Sequence, residues 1–269
     1  MKLSCRLEVL PGTSVLEKFE NARRFGFEGI GLPGRFLNEY LPELERELAS
    51  LPVPATSLSL GFESSILHPE ATERERCRVS LRRMMDLCQQ LGVERFNVPP
   101  SLLQDNPVRM TDRGEFDSVE ARLDNLLLDQ LHEIGDEASE RGVLFLIEPV
   151  NRFESDYLNT IKHGARLVRA LGHSAVAMTV DSFHMQMEEL IPSESILDAA
   201  ETIRHVHVAE NTRVEPGLGS LDFDPIFRAL REVGYDDGIE IECRSLSGEA
   251  ESVLPGSVAY LRDLWQWAR

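Results

Sequence analysis

Two rhythms of apolar residues alternate along the chain. Short apolar runs such as VLFLI, VAMTV and GIEI read as strands. Between them, apolar residues return every three or four positions, as on a helix with one buried face. Leu3 to Glu8 gives a first strand, and Ser14 can cap a helix that runs to a stop at Gly26. Gly29 to Leu32 and Val53 to Leu60 give the next two strands, with a helix near Asn38 to Ser50 between them. From Thr72 to Leu91, residues Cys77, Leu81, Met84, Met85, Cys88 and Leu91 share one face, and Gly92 ends the helix. Arg95 to Val98 is a fourth strand. The polar, proline-containing stretch Pro99 to Glu115 is long enough to cover the mouth of a barrel. Asp117 to Arg141 is again helical, through Leu123, Leu127, Leu131, Ile134 and Ala138.

Four more strands follow: VLFLI before Glu148, VAMTV before Asp181, IRHVHV containing His207, and GIEI before Glu242. Helices near Thr160 to Leu171, Ser193 to Ala200 and Pro225 to Val233 separate them, the last with Asp224 as N-cap. Ser257 to Ala268 closes the series. Eight strand–helix units in 269 residues match one (β/α)₈ barrel, which typically takes about 250. No linker or low-complexity segment interrupts them. The expectation is an α/β fold with residues 1–269 forming a single TIM barrel domain.

Charge narrows the partners. With 28 basic against 46 acidic side chains, the net charge of −18 repels polyanions, so nucleic acid is not expected. A small anionic ligand is still compatible, because one mouth can be locally positive. No apolar run approaches the ~18 residues of a membrane span, and the amino-terminal strand carries charges where a secretory signal would be apolar. A cytoplasmic protein is expected. The four cysteines form no C-x-x-C pair, and packing explains Cys77 and Cys88.

The ends of the last four strands carry the chemistry. Singly, each residue has a plainer explanation. Glu148 can pair with an arginine, Asp181 can cap the following turn, and a histidine between valines is commonly a core residue. His205 and His207 point to one side of their strand, as do Glu240 and Glu242 on theirs. Together, Glu148, Asp181, His207 and Glu242 are spaced 33, 26 and 35 residues apart, one strand–helix unit each. In a barrel such strand ends face one mouth. Three carboxylates meeting there repel one another, and a divalent cation resolves the conflict. Hard oxygens with one imidazole suit Mn²⁺ first, with Mg²⁺, Co²⁺ or Zn²⁺ as alternatives. Glu154, His184 and Arg213 fall in loops over the same mouth, where they can bind hydroxyls or polarise a carbonyl. Any one of them alone would be read as a solvated loop charge.

The segments IEPVNRFES, VDSFHM, HVHVAENTRVEPGLGSLDF and GYDDGIEIE resemble the xylose isomerase-like TIM barrels, and within them the ketose 3-epimerase branch. The resemblance covers about residues 142–244 by motif and the whole chain by strand order. It implies that Glu148, Asp181, His207 and Glu242 bind metal, and that Glu154, His184 and Arg213 contact a carbohydrate. It also implies catalysis by Glu148 and Glu242, one removing and the other returning a proton through a cis-enediolate. The product can be an epimer or an aldose–ketose isomer, and a dehydratase on the same metal site is an alternative. Departures exist. Cys243, Arg244 and Ser245 stand where the branch has proline and an aromatic residue, and Arg244, Ser245, Ser247 and Gly248 suggest a phosphate or carboxylate site. Nothing in the first half of the chain matches a family motif. An endonuclease IV-like phosphodiesterase would need three zinc ions and more than the seven histidines present. A non-catalytic sugar-binding protein would not need three converging carboxylates. The expected partner is a small-molecule carbohydrate, and a homo-oligomer is compatible with the chain.

Overall fold

Eight short strands pair side by side, all parallel, and the eighth closes back on the first. The computed structural model describes residues 1–103 and 116–267. In chain order the strands are β1 Lys2–Arg6, β2 Gly29–Pro33, β3 Ala55–Ser59, β4 Arg95–Val98, β5 Leu144–Ile147, β6 Val176–Asp181, β7 Ile203–Val208 and β8 Gly238–Ile241. The helices are α1 Val15–Phe25, α2 Leu37–Glu47, α3 Ala71–Leu91, α4 Phe116–Glu140, α5 Ile161–Leu171, α6 Ser182–Glu188, α7 Pro192–Ala199, α8 Asp224–Glu232 and α9 Ala250–Trp267. This is a single closed TIM barrel.

Local chemistry explains most boundaries. Ser14 Oγ accepts from the Glu17 amide at 3.1 Å and starts α1. The buried face of α3 is Cys77, Leu81, Met84, Met85, Cys88 and Leu91, the six residues that helical spacing puts on one side. Some boundaries differ from the sequence expectation. Helix α6 had no sequence signal beyond the cap that Asp181 supplies. Helix α9 starts at Ala250, seven residues before the expected Ser257, and carries Pro255 in its second turn. At α8 the expected cap Asp224 is instead the first helical residue. Asp222 Oδ1 accepts from the Asp224 amide at 3.1 Å, and Asp224 pairs with Arg228 at 2.7 Å. The expected lid from Pro99 to Glu115 lies mostly outside the described residues, as does Ala268. No helix among the described residues is long and apolar enough to cross a membrane.

Strand residues alternate in chemistry, and this positions the site. One set, including Leu3, Ile30, Leu58, Phe96, Phe145, Met178, Val206 and Ile239, packs into the apolar layer beneath the helices. The alternate set is buried and mostly polar: Ser4, Arg6, Ser57, Asn97, Thr179, Asp181, His205, His207 and Glu240, with Leu146 and Ala177 as apolar members. Barrel interiors are ordinarily filled by branched aliphatics. Here the interior is a column of hydrogen-bonding groups under the mouth. Space for it is made at Gly31 on β2, where a Cβ would lie 2.2 Å from Glu240 Oε1. Gly31→Ala is therefore expected to lower stability by about 1–3 kcal/mol, measured by urea unfolding. An unchanged transition would mean that Glu240 can move aside freely.

Candidate metal centre

Glu148 follows β5, Asp181 ends β6, His207 is the penultimate residue of β7, and Glu242 follows β8. One ligand atom from each lies within 4.8 Å of the others. His207 Nδ1 is 3.0 Å from Glu148 Oε1 and 3.5 Å from Glu242 Oε2. Asp181 serves twice. Its Oδ1 accepts from the Phe183 amide at 2.8 Å and caps α6, while Oδ2 is buried with no hydrogen-bond partner. Three hard oxygens and one imidazole nitrogen, with an orphaned carboxylate oxygen among them, fit a divalent cation.

The other expected site residues stand around this cluster. His184 Nδ1 accepts from the Asn151 amide at 3.3 Å and lies 2.7 Å from Asn151 Nδ2. The proton is thereby assigned to Nε2, which lies 3.6 Å from Asp181 Oδ2. Arg213 donates to Glu242 at 2.9 Å and to Glu154 at 3.2 Å, and its guanidinium stacks 4.5 Å from the Phe183 ring centroid. A cavity of about 250 Å³ above the cluster is lined by Glu148, Glu154, His184, Arg213 and Glu242. From the first half of the chain come Arg6, Arg35 and Asn97. Ser247 does not face this space as a phosphate site would require. Its amide and hydroxyl both go to the buried Glu215, leaving Cys243 and Arg244 as that segment's contribution to the lining.

Comparison with known proteins fits this geometry. Residues 19–264 match the profile of the xylose isomerase-like TIM barrel family. The chain belongs to that family. Among curated relatives of this xylose isomerase-like barrel, 3-dehydro-D-guloside 4-epimerase of Escherichia coli is 24% identical over 97% of the chain and 99% of the relative. Ketose 3-epimerase of Arthrobacter globiformis is 36% identical over 49% of the chain and 45% of the relative. The crystal structure of 3-keto-D-glucoside 4-epimerase from E. coli superposes with a TM-score of 0.84 at 24% identity, covering 98% of the chain and 99% of the other.

Two residues of this xylose isomerase-like centre escaped the sequence reading. Asn97 donates to Glu148 Oε2 at 2.7 Å, and Arg6 reaches Glu242 at 3.5 Å and Glu8 at 3.2 Å. Each is one polar residue in a short strand, and no spacing rule distinguishes it from a surface charge. Electrostatics within the cluster are uneven. Burial pushes the Asp181 carboxyl up. Burial acts the same way on Glu148 and Glu242, but neighbouring cations together outweigh it and both are lowered, by His207 with His184 at Glu148 and by His207, Arg213 and Arg6 at Glu242. For His207 burial acts downward, and Glu242 and Glu148 overcome it to raise the imidazole to about 10.

The sign of the pH dependence follows. With metal removed by a chelator, the stability that His207 contributes is fully present below about 6.5 and is lost as pH rises through about 10. The melting temperature of the chelated protein should fall over that window. A cation bound at Nδ1 displaces the proton, so loading at pH 8 should release close to one proton, read by calorimetry in two buffers. Loading with no proton release would mean either that His207 is already neutral at pH 8 or that it lies outside the ligand set.

Proposed function

We propose that this chain is a divalent-metal-dependent epimerase of a keto sugar, with Mn²⁺ as the first candidate ion. The observation that carries the reading is the convergence of Glu148, Asp181, His207 and Glu242 on one point, with Asp181 Oδ2 left there without a hydrogen bond. The names of the relatives, a 4-epimerase of a dehydro-sugar and a ketose 3-epimerase, support the same class. When bound, the cation would supply Lewis acidity to a carbonyl and its neighbouring hydroxyl, acidifying the C–H of the hydroxyl-bearing carbon.

The chain's own residues do the rest. Glu148 after β5 and Glu242 after β8 enter the mouth from opposite sides of β7, at 3.0 and 3.5 Å from His207 Nδ1, an arrangement suited to addressing opposite faces of a flat enediolate. One takes the proton from carbon; the other delivers a proton to the opposite face, which inverts that centre. Asn97 steadies Glu148, and Arg213 steadies Glu242, each by a direct hydrogen bond. The Nε2–H of His184 can donate to a substrate oxygen, and Glu154 with Arg213 can hold hydroxyls further along the chain of carbons. Arg213 keeps a left-handed backbone at φ 59°, fixed by its amide on the Glu210 carbonyl at 2.8 Å and its carbonyl under the Arg244 amide at 2.9 Å.

Incubation with Mn²⁺ in D₂O, against a panel of ketoses, keto-acids and their phosphates, tests the reading. Deuterium is expected at one carbon of at least one substrate, with an inverted product. An aldose product instead would move the assignment to aldose–ketose isomerisation. Metal-loaded protein that exchanges no carbon-bound proton in any compound overturns the proposal.

A further inference from the structure

Glu240 stands on β8 two residues before Glu242, one layer below the proposed centre. It is fully buried, and Gly31 leaves it room. A buried carboxylate is destabilising unless it is paired, so its surroundings matter. Its Oε2 accepts from Ser57 Oγ at 2.5 Å and lies 3.5 Å from Ser4 Oγ and 3.6 Å from His205 Nε2. Its Oε1 has no hydrogen-bond partner. Two nitrogens face that oxygen: Arg6 Nη1 at 3.8 Å and His207 Nε2 at 3.9 Å. Both are buried and both also lack a partner. One acceptor and two donors thus confront each other across gaps that a shift of about 1 Å closes to hydrogen-bond length.

Tautomer chemistry gives the arrangement its purpose. His207 turns Nδ1 toward Glu148 and Glu242, so a cation there takes Nδ1 and leaves the proton on Nε2. That N–H is buried, and Glu240 Oε1 is the carboxylate oxygen in front of it. The same oxygen faces Arg6, whose Nη1 also reaches Glu242 Oε1 at 3.5 Å. We infer that Glu240 is a positioning residue for the metal centre, holding the His207 ring with Nδ1 toward the mouth and setting Arg6 against Glu242. The inference rests on the metal reading above. His205, His207 and Glu240 also bring ligand atoms within 4.8 Å and resemble a second cation site. Arg6 argues against that, since its guanidinium already supplies positive charge at the same oxygen.

The test compares Glu240→Leu with Glu240→Gln by free-Mn²⁺ electron paramagnetic resonance and by ¹⁵N NMR of histidine-labelled, Zn²⁺-loaded protein. Loss of a residue that orients a ligand typically weakens metal binding about 10–100-fold, and that is expected for leucine. Glutamine keeps an acceptor oxygen for Nε2 while its amide faces Ser57, so binding should return to within about fivefold of the parent. In the parent and in Glu240→Gln, His207 Nε2 should be the protonated nitrogen; in Glu240→Leu that assignment should be lost. If the leucine variant does not fold, Ser57→Ala carries the test, with weaker Mn²⁺ binding expected from loss of the carboxylate's anchor. Leucine, or in its stead Ser57→Ala, with parental Mn²⁺ affinity and a protonated Nε2 overturns the inference. So does a parent that binds two ions and loses one on Glu240→Leu, which would mark the lower cluster as a cation site. A parent that takes up no Mn²⁺, Co²⁺ or Zn²⁺ overturns the metal reading itself, and this inference with it.

Discussion

Glu148→Gln and Glu242→Gln should each lower the rate of proton exchange into substrate by at least 10²–10⁴-fold, the range typical of general acid–base catalysis. Glutamine keeps the volume and one oxygen that can reach a cation, but it cannot take or deliver the proton. Mn²⁺ affinity should fall much less than turnover. Their consequences should also differ between the two epimeric substrates. Whichever glutamate faces the C–H of a given epimer is needed to exchange deuterium into it, and its partner is needed for the other. Asn97 on Glu148 and Arg213 on Glu242 make the two environments distinct, so equal effects on both directions are not expected. Single-turnover exchange in D₂O with each epimer measures this. If both variants retain activity within threefold of the parent, the carboxylates are structural ligands only, and the chemistry lies with His184 or Glu154.

Removal of the Asp181 ligand should abolish the stabilisation that metal confers. A ligand binding only the folded state at 100 times its dissociation constant adds about 2.7 kcal/mol, which for a chain of this size is roughly 5 °C in melting temperature. Mn²⁺ should raise the parent's transition by that order and leave Asp181→Ala unmoved. The alanine variant also loses the cap on α6, about 1 kcal/mol in either state. Asp181→Asn separates the two effects. It keeps an oxygen for the Phe183 amide and removes a carboxylate whose ionised form burial disfavours. Its chelated form should therefore melt at or above the parent, yet gain nothing from Mn²⁺. A normal Mn²⁺ shift in both variants would remove Asp181 from the ligand set.

The barrel was legible because each strand ends in a clear break of apolar pattern and each helix carries its own face. The ligands were legible because they recur at the same end of consecutive strands. Arg6 and Asn97 were not, since each is one of several polar residues in a short strand and acquires meaning only in the sheet, Arg6 when β1 closes on β8 and Asn97 when β4 lies beside β5. The pair Glu240 and Glu242 shows another limit. Alternation puts both on one face, but the stagger between strands decides which reaches the mouth, and in the sheet it is Glu240 that lies in register with His207. The short helix α6 hid behind the same aspartate that serves as ligand. The starts expected at Pro225 and Ser257 fall one and seven residues late, because helical backbone already begins ahead of Pro225 in α8 and of Pro255 in α9.

A barrel with a polar interior also limits how the chain can be divided. Glu240 takes its shortest hydrogen bond from Ser57, 183 residues earlier, and Ser4 is 236 residues away. Glu148 is held by Asn97 from the other half. A fragment beginning at β5 would lose the Ser57 and Asn97 donors of Glu240 and Glu148, leaving these carboxylates with only the His205 and His207 nitrogens beside them. Folding of the carboxyl-terminal half is thereby tied to the presence of the amino-terminal half, and co-expressed halves should recover a barrel that the second half does not form alone.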